Sequence, residues 1–297
     1  MSAARMLRTA LFATLAVLAT LAPAGAAHAA KEKRKPKAPR VPAVAPRPDS
    51  VTVGLWRFDE TLGLQVADAG PFRLVGTAGT DTRPEFGRFR NARQFAASAQ
   101  SFVAVPWNPV LDLERRFTIE AWVYVNAVRF APLQTIAARW SPIVNEQLWT
   151  LGIGGATVDD FAGSSAYAGL LTNASPMHLV FAYRSAQATQ PQTFVSVGEL
   201  PVQRWVHVAA TFDGEVVTLY VDGRMDSQVV SPYLMRTAEV PLTLGSTFDS
   251  HSLTDFGGDL RVDTIRARNL NYLLDGLLDE VRLSSAARTS FESAPAR

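Results

Sequence analysis

The feature that most constrains this chain is a set of alternating segments joined by Asp-Gly pairs. In residues 117–125 (FTIEAWVYV), every second residue from Phe117 to Val125 lies on one apolar face. Residues 205–212 and 215–221 show a similar pattern, and Asp213-Gly214 between them is typical of a tight β-hairpin. A period of two residues indicates strands that bury one face. The chain is therefore expected to form antiparallel β-sheet.

Further strand signals run through most of the 297 residues. A second Asp-Gly pair, at 222–223, precedes another candidate strand, and no stretch shows a long helical period. Many short strands separated by turn signals are typical of a sandwich or barrel. We predict one all-β domain over residues 51–290, followed by a short tail at 291–297. The remaining candidate strands are 54–58, 101–105, 147–153, 178–183, 224–230, 241–245 and 276–283.

The N-terminal residues 1–30 have the pattern of a secretory signal peptide. Arg5 and Arg8 precede an apolar run at 10–22, and Ala27-His28-Ala29 fits a cleavage site of small residues. The run is too short for a membrane-spanning helix, which needs about 20 apolar residues. We therefore expect a secreted, extracellular protein that does not insert into a membrane.

Residues 31–50 form a basic, proline-rich linker. Five prolines and seven basic residues favour an extended, self-repelling segment, so a spacer is the simplest interpretation. An alternative hypothesis is an electrostatic tether to an anionic cell-wall polymer. From Asp49 onward 26 acidic residues stand against 20 arginines and no lysine. Because the folded part is net acidic, nucleic acid is excluded as an expected partner.

The chain contains no cysteine. It therefore has no disulfide, no thiolate metal site and no cysteine nucleophile. Extracellular animal domains commonly use disulfides, so an exported chain without cysteine favours a bacterial source.

Several motifs occur in an order that resembles a known family. The segments are 54–60 (GLWRFDE), 66–70 (VADAG), 86–95 (FGRFRNARQF), 117–123 (FTIEAWV), 205–213 (WVHVAATFD), 219–223 (LYVDG) and 276–282 (GLLDEVR). Together they resemble the laminin G-like domains of the concanavalin A-like lectin/glucanase superfamily, in the form common in bacterial secreted proteins. The resemblance implies a jelly-roll sandwich of two antiparallel sheets.

The resemblance, the export signal and the lack of a catalytic constellation together favour recognition of a ligand over catalysis. The leading hypothesis is a secreted, non-catalytic module that binds a glycan or surface polymer. A carbohydrate-active enzyme on the same fold is the first alternative, and a purely structural or adhesive surface domain is the second. A shared fold does not decide among these three functions.

Retaining glycosidases of this fold place two carboxyl groups about 5–5.5 Å apart. The E-x-D-x-x-E pattern that supplies such a pair is absent from the chain. Asp279 and Glu280 are adjacent, so regular alternation would point them to opposite faces of their strand. We therefore assign no catalytic residue.

Asp59 and Asp279 are candidate calcium ligands. The resemblance implies a structural Ca²⁺ where the first and last strands pair, held by carboxylate and backbone oxygens. The alternative is that these acids cap turns or pair with Arg57 or Arg282.

Two tryptophans and one histidine are further candidate ligand-binding residues. Alternation places Trp122 opposite the apolar face of 117–125, and Trp205 and His207 share a face. For both tryptophans, as for Trp56, a packed core aromatic is the favoured interpretation. His207 is expected to be a hydrogen-bonded structural residue.

Two long segments, 154–202 and 246–274, depart from the family pattern. Long loops in a compact domain often carry function, so a ligand specificity particular to this protein is expected there. The candidate ligand-binding rim loop is the second of these segments, although a solvated acidic loop is the favoured alternative. Its candidate residues are Asp249, His251, Asp255 and Asp259.

Overall fold

The structure is a computed structural model that describes residues 44–141, 146–157, 175–188, 191–247, 252–256, 259–262 and 272–292. The early strands are β1 (Thr52–Trp56), β2 (Gln65–Val66), β3 (Gly76–Ala78), β4 (Arg83–Phe86), β5 (Asn91–Ala96) and β6 (Val103–Val105). The middle strands are β7 (Phe117–Val125), β8 (Leu133–Trp140), β9 (Gln147–Gly154), β10 (His178–Tyr183), β11 (Gln192–Glu199) and β12 (Trp205–Phe212). The last are β13 (Val216–Val221), β14 (Arg224–Val230), β15 (Leu242–Leu244), β16 (Leu253–Phe256), β17 (Asp259–Val262) and β18 (Asp275–Ser284).

The strands form two large antiparallel sheets. The front sheet has the order β14-β13-β12-β7-β18-β5-β4, with β1 also paired to β18. The back sheet has the order β11-β10-β9-β8-β15-β6-β3-β2. A 3₁₀ turn at Pro109–Leu111 lies between β6 and β7. The expected all-β sandwich of two antiparallel sheets is confirmed.

The predicted central hairpins form in the front sheet. In the pairing of β12 with β13, Phe212 lies opposite Val217 next to the turn. Asp213 closes this turn by donating its amide hydrogen to the Val216 carbonyl. Between β13 and β14, Asp222 and Gly223 have φ values of 49° and 72°, as a type I′ turn requires.

The apolar core lies between the two sheets. The inward face of β7, from Phe117 to Val125, is buried there as the alternation predicts. Phe117 packs on Trp149 and Phe181 of the back sheet, with ring centroids 5.6 and 5.5 Å apart. Trp56 is fully buried in the same core.

A β-bulge interrupts β18. The pairing register between β18 and β7 shifts after Asp279, and Glu280 has a φ of 50°. Leu278 and Val281 both point into the core, so the bulge accommodates two residues between them on the outer side. The expectation that Asp279 and Glu280 point to opposite faces is therefore wrong. Regular alternation fails because one extra residue is inserted into the strand.

The insertions are only partly described. The segment 154–202 includes strands β10 and β11, and the segment 246–274 includes a hairpin of β16 and β17, in which Asp255 pairs with Leu260. Asp249 and His251 lie outside the described residues, as do residues 1–30, the predicted signal peptide. Among described residues, no helix has the length and apolar character needed to cross a membrane.

Candidate functional site

The outer face of the front sheet carries the polar and aromatic side chains of interest. The register of β12, β7 and β18 aligns His207, Trp122 and Asp279 in one row across these strands. All three side chains are buried although they lie outside the inter-sheet core. We call these three residues the buried row.

A buried ion cluster adjoins this row at Glu120. The Nε2 atom of His207 lies 2.9 Å from one Glu120 oxygen, and the Arg282 guanidinium binds the other. Burial alone raises the pKa of Glu120, but the hydrogen bond and charge of His207, together with Arg282, bring it below its ordinary value. His207 is thus a hydrogen-bonded structural residue, as expected.

Segments from both ends of the domain cover this cluster. The Phe291 ring packs on His207, with centroids 5.1 Å apart, and on Tyr220, with centroids 4.9 Å apart. Arg288 pairs with Asp49 at 2.7 Å beside the same cluster. This part of the outer face is therefore closed to solvent.

Trp122 is covered from another direction. The Arg88 guanidinium lies 4.7 Å from the centre of its ring, and Phe89 meets it edge to face. The indole Nε1 is buried and has no hydrogen-bond partner. Trp122 is buried, as predicted, but it packs on the outer face rather than in the core between the sheets.

Three carboxyl groups, those of Asp59, Asp279 and Glu280, interact electrostatically next to the β1–β18 pairing. The pKa of Asp279 is raised to about 8, mainly by burial and also by the charges of Glu280 and Asp59, while hydrogen bonds from the Phe89 and Arg88 amides oppose the rise. Burial also raises the pKa of Glu280 to about 7, with Arg57 opposing and Asp59 reinforcing the shift. The structure thus brings both predicted calcium ligands into one acid cluster and adds Glu280, which the sequence analysis did not select.

The hydrogen bonds of this cluster leave two oxygens unused. One Asp279 oxygen accepts the Phe89 amide hydrogen at 2.8 Å, while the other is buried without a partner. Glu280 pairs with Arg57 at 3.2 Å through one oxygen, and its second oxygen is buried without a partner. Asp59 remains partly exposed and lies 3.9 Å from Arg90.

This donor set suits a hard cation, which prefers carboxylate oxygens. Within the described residues, however, no three His, Asp or Glu side chains stand ready to hold one ion. The two unpartnered oxygens of Asp279 and Glu280 therefore fit a cation only if backbone oxygens or water complete its shell.

A second row on the outer face remains open to solvent. The register places Trp205 opposite Tyr124, Tyr124 opposite Leu277, Leu277 opposite Gln94, and Gln94 opposite Arg83. All five side chains are partly or fully exposed. We call these five residues the open row.

Trp205 and Tyr124 form the aromatic end of the open row. Their ring centroids are 5.7 Å apart, and the planes meet at 62°. The expectation that Trp205 is a packed core aromatic is wrong, because strand β12 begins at this residue and its ring lies on the outer face. No sequence signal selects Tyr124, since its partner becomes known only when β7 and β12 are paired.

Planar polar groups flank the same row. Asn126 donates its side-chain amide hydrogen to Asp275 at 2.7 Å, beside the aromatic pair. At the far end, Arg83 Nε donates to the Gln94 side-chain oxygen at 2.6 Å. Aromatic rings beside fixed donors and acceptors suit a ligand that is both hydroxylated and ring-shaped.

The open row lacks the groups of a retaining glycosidase. Its five side chains include no carboxyl group, and Asp275 beside it is hydrogen-bonded to Asn126. Retaining hydrolysis needs two carboxyl groups about 5–5.5 Å apart. The five residues of the open row therefore do not supply such a pair.

Comparison with known proteins gives a family match and distant structural matches. A family model of laminin G type, described as the concanavalin A-like lectin/glucanases superfamily, matches residues 97–292. No curated protein sequence matches the chain.

The solved structures that resemble this chain include bacterial toxin binding domains. The binding domain of Paraclostridial Mosquitocidal Protein 1 is 13% identical, with a TM-score of 0.54, over 82% of this chain and 50% of that one. The botulinum neurotoxin serotype G binding domain is 10% identical, with a TM-score of 0.53, over 80% and 48%. The binding domain of botulinum neurotoxin DC, solved in complex with SialylT, is 11% identical, with a TM-score of 0.53, over 80% and 48%. The chain spans about half the length of these domains, and the likeness establishes a shared fold.

Proposed function

Because this chain belongs to the concanavalin A-like lectin/glucanase superfamily, we propose that it is a non-catalytic carbohydrate-binding module whose binding surface is the open row. The toxin domains that share its fold support this proposal, since one was solved with SialylT. For another protein of this group, botulinum neurotoxin type C, cell entry depends on interaction with two ganglioside molecules.

The observation that carries the proposal is the exposed aromatic pair of Trp205 and Tyr124. Most aromatic side chains of the front sheet are buried, whereas these two remain partly open beside Asn126 and Asp275. Tryptophan and tyrosine combine large apolar surface with a polar atom, and such residues dominate binding energy where they are exposed at recognition sites.

Replacing Trp205 with alanine tests the proposal. We expect glycan affinity to fall at least about tenfold, because the stacking surface is lost. The measurement is a screen of the full chain against a polysaccharide and glycan array, followed by titration calorimetry on the glycans that bind.

Trp107→Ala is the matched control, because Trp107 is also partly exposed but follows β6 of the back sheet. It should leave glycan affinity unchanged. A folded protein that binds no glycan on the array would contradict the proposal, as would equal affinity in Trp205→Ala. Release of cleaved product would support the enzymatic alternative.

We further propose that the acid cluster of Asp59, Asp279 and Glu280 holds a structural Ca²⁺. Support comes from the two unpartnered carboxyl oxygens of Asp279 and Glu280 and from the Asp59 charge, which raises the pKa of both acids. A bound cation would neutralise this buried negative charge and join β1 to β18. Its role here is stabilising.

Calcium is expected to raise the melting temperature of the wild-type chain by several degrees, and Asp279→Ala should abolish that rise. The measurement is thermal unfolding with calcium and with chelator. Asp226→Ala serves as control, because that carboxyl lies on β14 and accepts the amide hydrogens of Val197 and Gly198. Identical melting curves in calcium and in chelator would refute the calcium site.

A further inference from the structure

The open row crosses five neighbouring strands of the front sheet. Its members come from β12, β7, β18, β5 and β4, each directly opposite the next in the register. Neighbouring strands lie about 4.8 Å apart, so the four gaps give the row a length of about 19 Å. A surface of this length suits several sugar units in an extended chain better than one terminal sugar.

The two ends of the row differ in chemistry. One end is the aromatic pair of Trp205 and Tyr124, and the other is the exposed guanidinium of Arg83. Gln94 holds Arg83 through Nε, and the two terminal nitrogens of Arg83 have no partner among the described residues. A guanidinium fixed in this way presents paired donors that match a carboxylate.

Two further arginines lie near the open row, at the other end of strand β4 from Arg83. Arg88 and Arg90 lie in the hairpin between β4 and β5, and the Arg88 guanidinium is positioned over the Trp122 ring beside the open row. Arg90 is mostly exposed. Because Arg88 packs on Trp122 and Arg90 pairs with Asp59, the inference of an anionic ligand rests on Arg83.

We propose that the open row binds an internal segment of an extended, acidic polysaccharide laid across the strands. Sugar rings stack on Trp205 and Tyr124, Leu277 packs against the middle of the segment, and a sugar carboxylate pairs with Arg83. This inference rests on the proposed carbohydrate-binding function and specifies its ligand class.

The experiment measures affinity for acidic polysaccharides and their uncharged counterparts. The probes are polygalacturonate, alginate and hyaluronate, then oligosaccharides of the best binder from disaccharide to hexasaccharide, each also as its methyl ester. Affinity is expected to rise with chain length until the row is filled and then to level off. The methyl esters should bind at least about tenfold more weakly than the free acids.

The variant Arg83→Gln tests whether Arg83 is the residue that binds the sugar carboxylate. It should weaken binding of the free acids at least about tenfold and leave binding of the methyl esters unchanged. Arg224→Gln is the matched control, because Arg224 is an exposed arginine on β14 of the same sheet but outside the row. Trp205→Ala should weaken both ligand forms.

The outcomes separate this inference from the proposed function. If glycans bind through Trp205 but are neutral, or if affinity is independent of chain length or of Arg83, the inference is overturned and the carbohydrate-binding function stands. If no glycan of the array binds to the folded protein, both are overturned.

Discussion

Glu120→Gln is expected to lower the free energy of unfolding by about 3–5 kcal/mol, which is a large part of the stability of an ordinary domain. Glu120 is the carboxylate that both His207 and Arg282 contact in a region closed to solvent. Removing its charge leaves the Arg282 guanidinium buried without its counterion. Neutral glutamine keeps the size of the side chain, so the lost free energy of unfolding measures the contribution of the Glu120 charge rather than of its packing.

Denaturant unfolding at neutral pH measures this loss. Asp49→Asn is the matched control, because Asp49 pairs with Arg288 at the partly exposed edge of the same cluster. Exposed ion pairs contribute about 0–1 kcal/mol, so the control should change stability little. A loss in Glu120→Gln no larger than in the control would show that the cluster is not stabilised by this charge.

Stability of the metal-free protein is expected to decrease as pH rises from about 5 to about 9. The pKa of Asp279 rises from 3.8 to about 8 on folding and that of Glu280 from 4.5 to about 7, so the folded state binds more protons than the unfolded state. Their favourable contribution is complete below the unfolded pKa values and is lost as pH rises through the folded ones. At about 1.4 kcal/mol per pKa unit, the total loss is on the order of several kcal/mol.

Unfolding free energies across this pH range, in chelator, test the prediction in wild type and in Asp279→Asn. The variant keeps a neutral side chain at every pH, so most of the decrease should disappear. Asp275→Asn is the control, since Asp275 lies on the same strand but is partly exposed. A flat wild-type profile, or an equal decrease in Asp279→Asn, would contradict the prediction. Added calcium should offset the loss at high pH, because it binds the deprotonated carboxyl groups.

Local sequence patterns were sufficient to predict much of the fold. The alternation in 117–125 correctly predicted the inward face of β7, and the Asp-Gly pairs correctly marked the two turns around β13. These predictions succeed because side-chain direction in a strand and the φ values of a tight turn depend on neighbouring residues alone. The family motifs then correctly identified a laminin G-like sandwich.

Local patterns failed where neighbours in space are distant in the chain. Trp205 was expected to be a core aromatic, yet its exposure depends on where β12 begins and on its pairing with Tyr124. The bulge at Asp279 and Glu280 was missed because it depends on how β18 pairs with β7.

From period and turn chemistry, the sequence by itself determined that this chain is all-β and which face of β7 points into the core, and its resemblance to the laminin G-like family indicated the two-sheet sandwich. Only the tertiary structure decided which outward side chains stay open. Segments from both ends of the domain close the area around Glu120, whereas the row from Trp205 to Arg83 remains accessible. The physical reason is that exposure is a property of what packs over a strand, and those packing partners lie far away in the sequence.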